Sequence, residues 1–258
     1  MTKRNDKVSV ITLGCSKNTV DSERLIRQLM GNNIKMHGDP NTAQTVIINT
    51  CGFIDAAKEE SINTILNAAA LKSEGKIEKI LVAGCLSERY KETLRKEIPE
   101  VDAYFGTEDY QAIVKELGGD LKKDLLGERV LTEPSHSAYL KISEGCDHPC
   151  SFCAIPLMRG KHKSKPLEEL IREAEFLAGL GTKELIIIAQ DTTDYGKDIY
   201  GRQSLGTLLK RLSEIRGIEW IRIMYAYPSH FPDDVIEIIS ENEKVCNYID
   251  LPLQHISD

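Results

Sequence analysis

The chain has 258 residues, 41% of them hydrophobic and 28% charged, the balance of a soluble globular protein with room for one large domain or two ordinary ones. A formal net charge of −7 argues against a protein that grips nucleic acid by its phosphates. The polar start "MTKRNDKVSV" has no secretory h-region, no apolar run approaches membrane-spanning length, and the seven cysteines are odd in number; together these point to the cytoplasm, to no membrane, and to metal rather than disulfides.

Strand and helix alternate from residue 7. "KVSVITLGC" reads as a strand stopped by Gly14 and Cys15. "TVDSERLIRQLMG" reads as a helix with Val20, Leu25, Leu29 and Met30 on one face and Gly31 as its stop. "TVIINTCG" is the next strand, "DAAKEESINTILNAAALKS" the next helix, and "KILVAGC" a third strand. Ser87 is placed to cap the helix "ERYKETLRKEI", which ends before Pro99. "DAYFGT" is a fourth strand, followed by a short helix to Leu117. Strands alternating with helices imply an α/β fold on an open parallel sheet, over residues 1–117.

"GGDLKKDLLGERVLTEPSHS" breaks the alternation with glycines, charges and Pro134. Residues 118–133 read as a linker, with a short strand at 129–132. The second domain, 134–258, restarts with strands at 138–144, 184–190, 220–227 and 248–253. Helices fall at 166–179, 204–216 and 232–241, with Pro166 and Pro232 suited to a first helical turn. Four strand–helix steps form a partial β/α barrel and do not close it; the chain reads as cut in mid-domain.

The second domain opens with "EGCDHPCSFCAIP", in which Cys146, Cys150 and Cys153 follow the first strand with the spacing C-x3-C-x2-C. So close a set wraps one loop around one metal centre. Structural zinc sites take four ligands, and ordinary cubane clusters take four cysteines. Three thiolates on a four-iron cluster leave one iron open. His148 and His162 are the side chains able to fill a fourth place, and zinc or a plain buried role are the competing readings.

Cys15, Cys51 and Cys85 are 36 and 34 residues apart, yet each ends a predicted parallel strand, in "LGC", "NTCG" and "AGC". Parallel strands of one sheet end on the same side, the edge where open α/β sheets bind ligands. The three thiols are therefore expected to converge, with Gly14, Gly52 and Gly84 permitting close backbone approach. A second three-cysteine metal site follows from this placement.

C-x3-C-x2-C with Phe152 before the last cysteine, at the end of a first barrel strand, resembles the signature of the radical S-adenosylmethionine (SAM) enzymes. Two cysteine trios in this order resemble the methylthiotransferases of that group. The segments "LGCSKNTVDSE", "INTCGFIDAAKEESI", "AGCLSERY", "EGCDHPCSFCAIPLMRG" and "LPLQHISD" resemble the RimO type in particular. The tRNA-modifying branch typically reads "GCQMN" where this chain reads "GCSKN".

The resemblance implies two 4Fe-4S clusters, one on Cys15, Cys51 and Cys85 and one on Cys146, Cys150 and Cys153, with SAM on the open iron of the second. It implies a radical SAM partial β/α barrel after the N-terminal domain, and a family that continues past residue 258 with the rest of the barrel and a TRAM domain. The activity implied is a transferase reaction that adds a methylthio group to the β-carbon of an aspartate in ribosomal protein S twelve. A 5′-deoxyadenosyl radical would remove the hydrogen atom, and an external electron donor would supply the cluster. Direct nucleic-acid binding is not expected from these residues. The alternatives are the same reaction on a tRNA adenosine, or a non-catalytic metal-binding module.

Further residues follow from family placement. Phe152, Gln190 and Asp191 are expected near SAM. Arg159 and Lys161, in the basic run "RGKHKSK", face either an acidic group or solvent. Gln254 and His255 end the last strand. Cys246 reads as a core residue, and Trp220, Tyr225 and Tyr227 as barrel packing.

Overall fold

The computed structural model describes residues 7–229 and 231–252. Gln254 and His255 lie outside them. The chain divides into two compact units, Met1–Val130 with Leu157–Arg159, and Leu131–Pro156 with Gly160–Asp258.

The first unit contains strands β1 (Lys7–Thr12), β2 (Lys35–Met36), β3 (Thr45–Thr50), β4 (Lys79–Gly84) and β5 (Ala103–Tyr104). Its helices are α1 (Ser16–Gly31), α2 (Asp55–Ser73), α3 (Cys85–Glu97) and α4 (Tyr110–Glu116). The strands pair in the order β2-β1-β3-β4-β5, all parallel. Successive residues of a strand face opposite sides of the sheet. Val46, Ile48, Ile80 and Val82 accordingly pack with Ile65, Ala69, Leu86 and Leu94, on the side of α2 and α3. Ile47 and Leu81 pack with Leu25, Leu29, Ile113 and Val114, on the side of α1 and α4. A strand buried on both faces needs no polar alternation, which is why Val46, Ile47 and Ile48 stand together in "TVIINT". The strand order reverses at β1, so a switch point falls between β1 and β3 at their carboxyl ends.

Both cysteine-led helices start earlier than their apolar periodicity indicates. α1 begins at Ser16 rather than Thr19, and α3 at Cys85 rather than Glu88. Ser87 is therefore inside α3 and buried, and Gly84 stands at the cap. The expected linker is folded as far as residue 130. Lys122 N–H donates to Gln28 Oε1 (2.9 Å), Asp120 N–H to Asn32 Oδ1 (2.9 Å), and Arg27 pairs with Glu128 at 2.6 Å. Arg129 is buried against Glu23. These contacts lay the charged segment along α1. No strand forms at 129–132, because its backbone is used there instead, Val130 N–H bonding to Glu23 O.

The second unit contains β6 (Ser137–Lys141), β7 (Ser143–Glu144), β8 (Lys163–Ser164), β9 (Glu184–Ile188), β10 (Trp220–Ile223) and β11 (Val245–Ile249). Its helices are α6 (Leu167–Gly179), α7 (Lys197–Tyr200), α8 (Leu205–Ser213) and α9 (Asp233–Glu241); the short α5 (Ile155–Arg159) contributes its last three residues to the first unit. The four long strands pair in sequence order, β11-β10-β9-β6, and all are parallel. Right-handed crossovers that always step the same way place every helix on one face. Leu140, Leu185, Ile187, Ile221 and Ile223 meet Leu170, Leu177, Leu208, Leu209, Leu212, Val235 and Ile238 there. Each such leucine removed from water contributes about 2 kcal/mol. The pleat turns Tyr139, Lys141 and Arg222 to the opposite face, the inside of a partial barrel. The last strand runs 245–249, three residues ahead of its expected place. The hairpin β7–β8 is antiparallel and was not anticipated; at two residues a strand it is too short for any periodicity.

Candidate metal centres

The first site lies at the carboxyl ends of three neighbouring strands. Cys15 follows β1 and caps α1, Cys51 follows β3, and Cys85 follows β4 as the first residue of α3. The strand ends are close neighbours: a Cβ on Gly14, next to Cys15, would lie 2.9 Å from Cys51 Sγ. Two glycines make this approach possible. Gly14 has φ +90, and a Cβ there would lie 2.5 Å from Cys51 Cβ. Gly84 has φ +94, and a Cβ there would lie 2.5 Å from Thr50 O. Only glycine fits both the backbone and the space.

Polar side chains knit these strand ends together. Asn18 is fully buried, and its Nδ2 donates to Leu13 O (2.7 Å) and Thr50 O (3.0 Å). Ser61 Oγ donates to Cys51 O (2.9 Å) and accepts from Cys51 N–H (3.0 Å). Arg159 is 7% exposed in this unit. Its Nε donates to Cys85 Sγ (3.2 Å) and its Nη1 to Asp21 Oδ2 (2.7 Å). Its Nη2 donates to Asn18 Oδ1. Arg159 is thus neither in solvent nor a member of a charge run. Sequence reasoning also missed Asn18 and Ser61, whose signal is only that they are polar residues inside helices with buried faces.

The first site suits an anionic sulfur centre. Burial pushes the Cys85 thiol up to about 11, while the Arg159 guanidinium pulls the other way. The N-termini of α1 and α3, at Cys15 and Cys85, also favour negative charge.

The second trio sits on the loop between β7 and α5. Cys153 N–H bonds to Cys150 O (3.0 Å), and Cys146 N–H to Gly160 O (3.1 Å). Burial pushes the Cys146 thiol up to about 11, and Asp191, Cys153 and Cys150 add to the rise. His148 is engaged by its neighbours. Its Nε2 lies 2.6 Å from Asp191 Oδ2, and its ring stacks on Tyr227 at 3.9 Å between centroids and 19° between planes. Through this stack Tyr227 packs against the cysteine loop. His162 Nε2 lies 3.0 Å from Ser164 Oγ.

The residues expected near SAM are placed as follows. Phe152 is 79% exposed on the cysteine loop. Gln190 Nε2 donates to Glu144 Oε1 (2.7 Å), and Glu144 Oε2 pairs with Lys141. Gln190 Oε1 is buried without a hydrogen-bond partner. Asp191 is buried, accepts from Thr193 N–H (2.8 Å) through Oδ1, and holds His148 through Oδ2. Trp220 is exposed, and Cys246 is half-buried beside Arg222 rather than in the core.

Ligand spacing separates a cluster from a single ion. Tetrahedral zinc–thiolate geometry puts sulfurs about 3.8 Å apart. Among the described residues, the set of three metal-ligating atoms lying within 4.8 Å of one another is His148, Asp191 and Asp194, and neither cysteine trio forms one. Sulfurs bound to different irons of a cubane stand further apart than sulfurs on one ion.

Comparison with known proteins agrees with this arrangement. Residues 7–106 match the family described as uncharacterized protein family UPF0004, and residues 140–258 match the radical SAM superfamily. A ribosomal protein uS12 methylthiotransferase RimO from Flavobacterium psychrophilum is 58% identical over 257 residues, 99% of this chain and 59% of that protein. The protein of the same name from Cytophaga hutchinsonii is 57% identical over 96% of this chain and 57% of its own length. The chain therefore spans under three fifths of the curated relatives it matches. Among solved structures, the radical SAM methyltransferase TsrM from Kitasatospora setae, with cobalamin and a [4Fe-4S] cluster bound, superposes with a TM-score of 0.66 at 10% identity. That match covers 98% of this chain and 62% of TsrM, and it shows a shared fold. With both domains in this order and relatives of more than half identity along its length, the chain belongs to the RimO branch of the radical SAM methylthiotransferase family.

Proposed function

We propose that the protein is a radical SAM methylthiotransferase, carrying two 4Fe-4S clusters and SAM, whose substrate is an aspartate β-carbon of ribosomal protein S twelve. The single observation that carries this reading is the pair of cysteine trios, one following the parallel strands β1, β3 and β4 and one on the loop between β7 and α5. Cys15, Cys51 and Cys85 would hold one cluster, and Cys146, Cys150 and Cys153 the other. Bound there, the clusters and SAM supply the hydrogen-atom abstraction and the sulfur that no side chain can provide.

The chain's own residues do the positioning. The His148–Asp191 bond and the Tyr227 stack hold the second cysteine loop in one shape, fixing where an open iron would point. Lys141 on β6, Glu144 on β7 and the half-buried Gln190 just past β9 form a polar cluster, and the unpartnered Gln190 Oε1 is suited to a polar group of SAM. A β-C–H beside a carboxylate is a poor acid, so a general base is a weak route to it and radical abstraction avoids a carbanion.

The test is to incubate the reconstituted protein with SAM, a low-potential reductant and small ribosomal subunits, and to analyse protein and RNA by mass spectrometry. One methylthio group replacing hydrogen on an S twelve aspartate is expected. Methylthio-adenosine in tRNA, with none on the protein, would transfer the reading to the tRNA branch.

A further inference from the structure

We infer that Arg159 is a positioning residue of the first metal centre, donating a hydrogen bond to the ligand sulfur of Cys85 and setting the charge that the centre senses. The inference rests on the cluster assignment just proposed and deepens it.

A buried guanidinium is costly unless its donors are met, and here all three nitrogens are engaged. Asp21 takes one and Asn18 a second, and Asn18 is itself fixed by the ends of β1 and β3 through Leu13 O and Thr50 O. The remaining donor, Nε, is aimed at Cys85 Sγ. A neutral thiol is a weak acceptor, whereas a metal-bound thiolate is an anionic one. The direction of Nε is therefore suited to a loaded site. The tie is also local to the first unit, because Leu157–Arg159 belongs to it, and Thr107 Oγ1 holds Met158 O at 3.0 Å.

Charge near a cluster and N–H···S bonds to its ligands tune its potential. Arg159 stabilises the more negative, reduced state, and Asp21 opposes it. The two residues should thus act with opposite sign, which a purely structural role would not produce.

The experiment uses the chain with Cys146, Cys150 and Cys153 replaced by alanine, reconstituted anaerobically, so that the first trio alone reports. Iron, sulfide, the midpoint potential and the electron paramagnetic resonance spectrum are measured. R159Q is expected to keep its fold and shift the potential negative with altered g-values, R159K to recover part of the shift, and D21N to shift it positive. An unchanged potential in R159Q overturns the inference. If R159Q does not fold, D21N decides, and a potential unchanged or lowered there overturns it equally. Absence of iron and sulfide from the parent chain would instead overturn the cluster assignment itself.

Discussion

Replacing Cys150 with alanine is expected to remove the second cluster and bring reductive cleavage of SAM to background, while the iron of the first trio stays. Two thiolates would remain on a loop built for three. His148 is bonded to Asp191 and stacked on Tyr227, and His162 bonds Ser164. Loss of an outer partner of a metal ligand costs about 10- to 100-fold; loss of the ligand itself should exceed that. Cys150 is only half-buried and lies outside the apolar core of the second unit, so the fold should survive the change. Iron analysis with quantification of 5′-deoxyadenosine checks this. Undiminished cleavage would remove the second trio from the SAM site.

The mirror variant, Cys51→Ala, should separate the two chemistries. Cys51 is buried at the end of β3, with its backbone pinned by Ser61 from both sides. Alanine fits that backbone, and the space once filled by sulfur borders Gly14. The first cluster should be lost and the second kept. SAM cleavage should then continue at roughly its former rate while methylthio transfer falls about 100-fold or more. Measuring 5′-deoxyadenosine and modified substrate in one reaction checks both halves. Loss of cleavage as well would mean that the trios do not act separately.

The cysteines were legible because the strand grammar was. "KVSVIT", "TVIINT" and "KILVAG" are each rich in β-branched or aliphatic residues and lead into a glycine or cysteine, so parallel pairing alone placed Cys15, Cys51 and Cys85 on one edge. The helix starts were not legible. Lys17 is buried, Asn18 is buried through hydrogen bonds at the site, and Ser87 lies buried in the first turn of α3; apolar periodicity is blind to such positions. Arg159 was hidden for a related reason. In "RGKHKSK" it is one of four Lys and Arg residues, and only tertiary packing distinguishes the buried one. The segment 120–130 has the glycine and charge of a linker, yet its partners are Arg27, Gln28 and Asn32, some hundred positions earlier. Contacts of that sequence separation leave no local pattern.

The central claim is that this chain holds two cubane clusters on two cysteine trios. The most direct measurement is the iron, acid-labile sulfide and zinc content of the anaerobically reconstituted chain. About eight irons and about eight sulfides per chain are predicted, without zinc. Zinc without sulfide, or about four irons unaffected by Cys51→Ala and Cys150→Ala alike, would contradict it.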